Sequence, residues 1–300
     1  MKKKTYLFAL MTMALTLGSC SNNEDGIGGE TSKYITVSTS IGNMTRVATD
    51  AKGGQTFEEG DEISVYAWTG DATIAPDASE RVVNNAINKL TSSSWVSTPQ
   101  MLWKNNRDKH YFIGVYPTAA ISDLSAGEYT FDVNKQTESD LLVAVNPDGL
   151  SYSADAQQTV PLTFTHVMAK LAVNLTYKNQ WGGIPTVEKV VVGNAAKEAT
   201  INYLTKVVTP STTAKEDFSL PEITENTKYV SVIIPQEEVK QLTIVIGGKN
   251  FVYDNGTPFK LESGKITTVN LEVGRDEIKL GDVKITDWED GSTFSGEAIN

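Results

Sequence analysis

The chain has 300 residues, of which 21% are charged and 40% hydrophobic, with a formal net charge of −11, one cysteine and two histidines. That length supplies a real core, as two ordinary domains or one large β domain, while the acidic balance argues against a nucleic-acid partner. A single cysteine rules out an internal disulfide or a Cys-based zinc cluster, and two histidines leave little for metal or triad chemistry.

Lys2, Lys3 and Lys4 precede an almost wholly apolar run from Tyr6 to Leu17. At roughly 12 residues it is too short to span a ~30 Å hydrocarbon core as a helix, but it suits the core of a signal peptide. It ends in Leu17-Gly18-Ser19-Cys20, which resembles the bacterial lipobox. Residues 1–19 therefore read as a lipoprotein signal peptide and Cys20 as the point of attachment to outer-membrane lipid. An ordinary secretory signal with a chance cysteine is the plainer alternative. Removing residues 1–19 takes away three lysines and moves the net charge from −11 to −14. Residues 20–32 are polar, acidic and glycine-rich and predict a flexible tether. They resemble the export signal that follows the cysteine in surface lipoproteins of Bacteroides-like bacteria.

Beyond the tether the pattern is β. Alternation rich in β-branched residues recurs at Tyr34 to Val37, Ile63 to Tyr66, Tyr111 to Tyr116, Val187 to Val192, Tyr229 to Ile234, Leu242 to Ile246 and Thr267 to Val273. Pro147-Asp148-Gly149, Asp254-Asn255-Gly256 and Glu262-Ser263-Gly264 read as turns between strands. One short helix is expected from Glu80 to Leu90, with Val82, Val83, Ala86, Ile87 and Leu90 on one face and Ser79 as its cap. From Val160 to Leu175 the apolar set changes face near His166, which predicts a bulge, a bend or burial on both faces; a helix from Thr165 is the competing reading. A boundary near Tyr177 would divide the remainder into domains at 33–177 and 178–300.

Four segments, in order, carry a resemblance. They are Phe57-Glu58-Glu59-Gly60-Asp61-Glu62-Ile63-Ser64-Val65-Tyr66; Trp103 with Tyr111 to Pro117; Ser139 to Ala144; and Val160 to Leu171, which contains Leu162-Thr163-Phe164-Thr165-His166-Val167-Met168-Ala169-Lys170-Leu171. Together they resemble the fimbrillin-like proteins, as does the ending Ile285-Thr286-Asp287-Trp288. The resemblance implies two tandem transthyretin-like β-sandwiches and assembly into a type V pilus on the cell surface, with a role in adhesion. It also implies that an arginine-specific protease removes the first strand, so that the vacated groove accepts a strand from another pilin subunit.

Carried onto this sequence, processing falls at Arg46, after an alternating first strand with Ile35, Val37, Thr39 and Ile41 on one face. A solvated surface arginine is the alternative. The donor strand would come from Ile278, Leu280, Val283 and Ile285, although Gly281 and Asp282 break strict alternation. A last strand that never leaves its own domain explains the same residues. No catalytic role and no cofactor are expected. His166 reads as a hydrogen-bonded core histidine and His110 as solvated. Glu58, Glu59, Asp61 and Glu62 read as a turn and not as a calcium site. Trp68, Trp95, Trp103, Trp181 and Trp288 read as closing sandwich cores or loop ends, with a sugar-stacking platform as the alternative, favoured if two are exposed and coplanar. The other class of function is a monomeric surface lipoprotein that binds a glycan or host ligand.

Overall fold

The computed structural model describes residues 33–42, 56–153 and 158–288. The expected signal segment and tether, Cys20 and Arg46 lie outside them. The architecture is all-β, as expected. A seven-stranded sheet has the order β1 (Thr36–Ile41), β8 (Thr159–His166), β7 (Leu142–Leu150), β5 (His110–Tyr116), β2 (Glu62–Thr69), β3 (Val83–Thr91) and β4 (Ser94–Thr98). A four-stranded sheet runs β13 (Lys215–Ser219), β10 (Val187–Ala196), β16 (Gln236–Ile246), β17 (Lys249–Leu261). Facing it is a five-stranded sheet of β14 (Glu222–Thr224), β15 (Lys228–Ile233), β9 (Ala169–Tyr177), β18 (Lys265–Val273) and β19 (Ile278–Asp287). The three-stranded sheet β12 (Val207–Pro210), β11 (Glu198–Asn202), β6 (Gly127–Thr130) completes the set, with one helical turn, α1 (Gln136–Ser139).

The seven-stranded sheet rolls until its two ends meet. Trp95 of β4 donates its indole N–H to Thr39 Oγ1 of β1 at 3.1 Å. Inside the roll lie Ile35, Val37, Ile63, Val65, Phe112 and Phe164. Its outer face carries Tyr66, Trp68, Ile113 and Val115, which join the core of the remaining sheets. β2 is therefore covered on both faces, which is why Ile63 to Trp68 is buried without a break. Gly114 leaves room for Phe164, whose Cζ would lie 2.6 Å from an added Cβ.

The expected helix over Glu80 to Leu90 is a strand, and the misreading has a physical cause. Val65 pairs with Ala86 and Ala67 with Val83, so β3 holds one extra residue. Asn85 sits there at φ 57°. Such a bulge brings positions three apart onto one face and imitates helical spacing. Two predicted turns are irregularities within strands for related reasons: Pro147 to Gly149 falls in a register shift of β7 against β5, and Asp254 to Gly256 in one of β17 against β16. Glu262 to Gly264 does turn the chain between β17 and β18.

The change of face near His166 is a change of sheet. β8 ends at His166, and β9 begins at Ala169 inside the five-stranded sheet, between β15 and β18. The helix from Thr165 is not adopted. The crossover thus lies ahead of the expected boundary at Tyr177, and β9 pairs entirely with strands from beyond it. In the three-stranded sheet β6, from before the crossover, pairs with β11, from after it. One apolar core runs from Tyr66 and Leu124 through Ile201 and Tyr203 into the facing sheets.

Candidate functional site: the first-strand groove

β1 lies at the seam of the rolled sheet. Thr36 to Ile41 pair in parallel with Thr159 to Phe164 of β8. Parallel neighbours cannot be joined by a tight turn, so only non-covalent contacts bind β1 to β8. Two hydroxyl pairs add to the ladder, Thr36 with Thr159 at 3.2 Å and Ser40 with Thr163 at 3.1 Å. On its other side the backbone N–H of Ile35 donates to Met101 O at 3.0 Å, and that of Trp103 donates to Lys33 O at 3.2 Å. The strand is enclosed from both flanks at its N-terminal end.

Its four predicted inward residues do lie on one face, but to different depths. Ile35 and Val37 are 2% and 6% exposed, whereas Thr39 and Ile41 are half-buried. Phe57 closes the groove beside β8. Its ring meets those of Trp95, Tyr116 and Phe164 edge-on, with centroids 5.3, 5.4 and 5.1 Å away. Burial pushes the Tyr116 hydroxyl pKa up, and the nearby Asp61 carboxylate adds to the shift. Sequence reading missed Met101 to Trp103 as a wall of this groove. Its in–out–in burial, with Leu102 exposed, spans too few residues to register as a strand.

At the other end of the chain, the four residues predicted for the donor strand also share a face. Ile278, Leu280, Val283 and Ile285 pair with Val273, Leu271, Val269 and Thr267, all inward-facing residues of β18. A register shift at Gly281 restores the parity that Gly281 and Asp282 break in sequence. Among the described strands β19 is nevertheless an edge strand, bonded to β18 alone. Ile278 and Leu280 pack on the core, while Val283 and Ile285 remain 39% and 38% exposed.

The remaining candidates resolve individually. His166 is buried, with Nδ1 2.7 Å from Asp140 Oδ1. His110, expected to be solvated, is completely buried: Lys104 N–H donates to Nε2 at 3.0 Å and Nδ1 faces Asp108 O at 3.1 Å. Desolvation is the main cause that lowers its pKa. The charged turn before it folds back over the ring, which its sequence neighbours did not reveal. Glu59 accepts from Ser92 N–H, Asp61 from Glu58 N–H, and Glu62 pairs with Lys89. Trp68, Trp103 and Trp288 are buried, and Trp95 and Trp181 half-buried, so no pair of them offers an exposed platform. A cleft of about 530 Å³ lined by Lys206, Val207, Pro210 and Pro235 carries no aromatic side chain.

The fimbrillin-like family model matches residues 45–288. The chain belongs to the fimbrillin-like family. The match starts beyond β1 and ends on Trp288. Among solved structures, this fimbrillin-like chain is similar to a candidate cell adhesion protein from Bacteroides uniformis, at 19% identity and TM-score 0.63 over 85% of this chain and 99% of that one. A second, from Bacteroides ovatus, gives 18% identity and TM-score 0.62 over 85% and 98%. A fimbrial protein from Bacteroides vulgatus gives 13% and 0.53 over 85% and 99%. These likenesses bear on the fold. Among curated proteins none matches the sequence. Family membership makes the chain a fimbrial or adhesion-related subunit.

Proposed function

We propose that this fimbrillin-like chain is a structural subunit of a type V pilus, anchored as a precursor to outer-membrane lipid through Cys20 and assembled by strand exchange. Cleavage after Arg46 would detach the chain on the N-terminal side of the cut, including β1. The groove left behind would then accept a strand from another pilin subunit, and the polymer would serve adhesion at the cell surface. The single observation that carries this reading is β1 itself. It is parallel to β8, keyed into the core by Ile35 and Val37, and followed within a few residues by Arg46. An incoming strand would satisfy the backbone groups and the two deep apolar sites that its loss exposes. β19 supports the other half of the scheme as an edge strand with an apolar face only partly covered.

The test is digestion of the chain from residue 20 onward, carrying Cys20→Ser, with an arginine-specific protease. Arg107 and Arg275 are also exposed, so the product ends are identified by mass. Cleavage after Arg46 followed by heat-stable oligomers is expected, and removal of residues 278–300 should abolish those oligomers. Resistance at Arg46, or a cleaved chain that stays monomeric, would refute the proposal. Glycan or host-ligand binding by that monomer would favour the surface lipoprotein instead.

A further inference from the structure

β19 ends in a contact that its exposed strand body does not lead one to expect. Trp288, the next residue, is 3% exposed. Its indole stacks on the His166 imidazole, with centroids 4.0 Å apart and planes inclined by 6°. The Lys170 ammonium lies 4.3 Å from the indole centroid. The backbone N–H of Trp288 donates to Gly264 O at 3.0 Å, while its indole N–H has no acceptor among the described residues. The side chain is thus held by packing, stacking and a nearby cation, and among the described residues not by its indole N–H. A plug of that kind is tight but can be withdrawn.

His166 is also the last residue of β8, the strand that carries β1. β8 has uneven support. β1 pairs with Thr159 to Phe164, whereas β7 pairs only with Phe164 to His166. Thr159 to Thr163 therefore have β1 as their one ladder partner among the described strands. Gly42 N–H also donates to Phe164 O at 2.7 Å, two residues from the stacked imidazole. Loss of β1 would leave β8 with a ladder to β7 at Phe164 to His166, beside the His166–Asp140 pair and the core packing of Val160, Leu162 and Phe164.

We infer that Trp288 is a latch that holds β19 on the end of β8, so that emptying the first-strand groove loosens the C-terminal strand. The role given to β19 rests on the strand-exchange reading; the latch does not. With β1 in place the tail is clamped to its own subunit, which keeps the precursor from donating it early. With β1 gone β8 keeps its ladder only at Phe164 to His166, so the platform under Trp288 is less firmly held and the edge strand depends more on its ladder to β18 and a half-covered apolar face.

Hydrogen exchange read by mass spectrometry on the uncleaved chain from residue 20 (Cys20→Ser throughout) tests this without any polymerisation. Trp288→Ala should accelerate exchange across residues 278–287 by about tenfold or more while β9 and β16 keep their protection. His166→Gln, which removes the stacked ring, should do the same and guards against a Trp288 variant that unfolds globally. Trp288→Phe, which keeps a ring, should stay within about threefold of the parent. The double variant Ile35→Ala/Val37→Ala, which weakens β1 far from Trp288, should also accelerate residues 278–287. Unchanged exchange there in both Trp288→Ala and His166→Gln overturns the latch. Acceleration in those two but none in the β1 variant overturns the coupling. Failure of the cleaved chain to form oligomers would instead count against strand exchange alone.

Discussion

Truncating Ile35 should cost far more than truncating Thr39, although both side chains lie on one face of the same extended segment. Ile35 is 2% exposed inside the rolled sheet, so Ile35→Ala removes three buried carbon groups worth ~0.8 kcal/mol each. The cavity left behind adds to that, and the total falls at about 3–4 kcal/mol within the usual range for such changes. Thr39 is half-buried and accepts one hydrogen bond from Trp95, so Thr39→Ala should cost about 1 kcal/mol or less. Urea unfolding reads the difference, and for a chain of this size the first change lowers Tm by on the order of 10 °C. If β1 detaches before the rest unfolds, the loss appears first as faster hydrogen exchange in Thr159 to Thr163. Equal, small effects at both positions would mean that β1 is not keyed at its N-terminal end, and the groove would lose its basis as an acceptor site.

Three further outcomes follow from the geometry. His110 is buried with Nε2 accepting a hydrogen bond, and burial lowers its pKa, so the unfolded chain binds a proton more readily than the folded one. Its contribution is complete above the ordinary histidine pKa of about 6.5 and is lost as pH falls below it; the urea midpoint should drop between neutral and mildly acidic pH, and His110→Gln should flatten part of that drop. Gly114→Ala places a Cβ 2.6 Å from Phe164 Cζ and should destabilise by about 1–3 kcal/mol in the same assay. Asn85→Val puts a β-branched residue at φ 57° and should cost about 1–2 kcal/mol, with Asn85→Gly costing less; a neutral Asn85→Val would contradict the bulge.

The face of β1 was readable because Ile35, Val37, Thr39 and Ile41 repeat with the period of a strand. Its partner was not, since parallel pairing with β8 leaves no turn between them. The same division holds at β19. Its apolar residues stood out, but their common face depends on a bulge at Gly281 that only the register against β18 displays. At β3 a bulge had the opposite effect and turned strand residues into an apparent helical stripe. His166 was legible as a buried, hydrogen-bonded side chain; its stack with Trp288 was not, because the two residues meet only through the folded sheets.

The sequence by itself determined the class of the molecule. Strand periodicity, a lone cysteine behind an apolar run, an acidic balance and the four ordered segments are local or compositional properties that survive without coordinates. Tertiary structure alone decided which strands are neighbours and how deeply each side chain lies. Pairing and burial depend on contacts between residues far apart in the chain, and no local pattern encodes them. That is why β1 could be recognised from its own residues, while the groove that holds it and the latch at Trp288 could not.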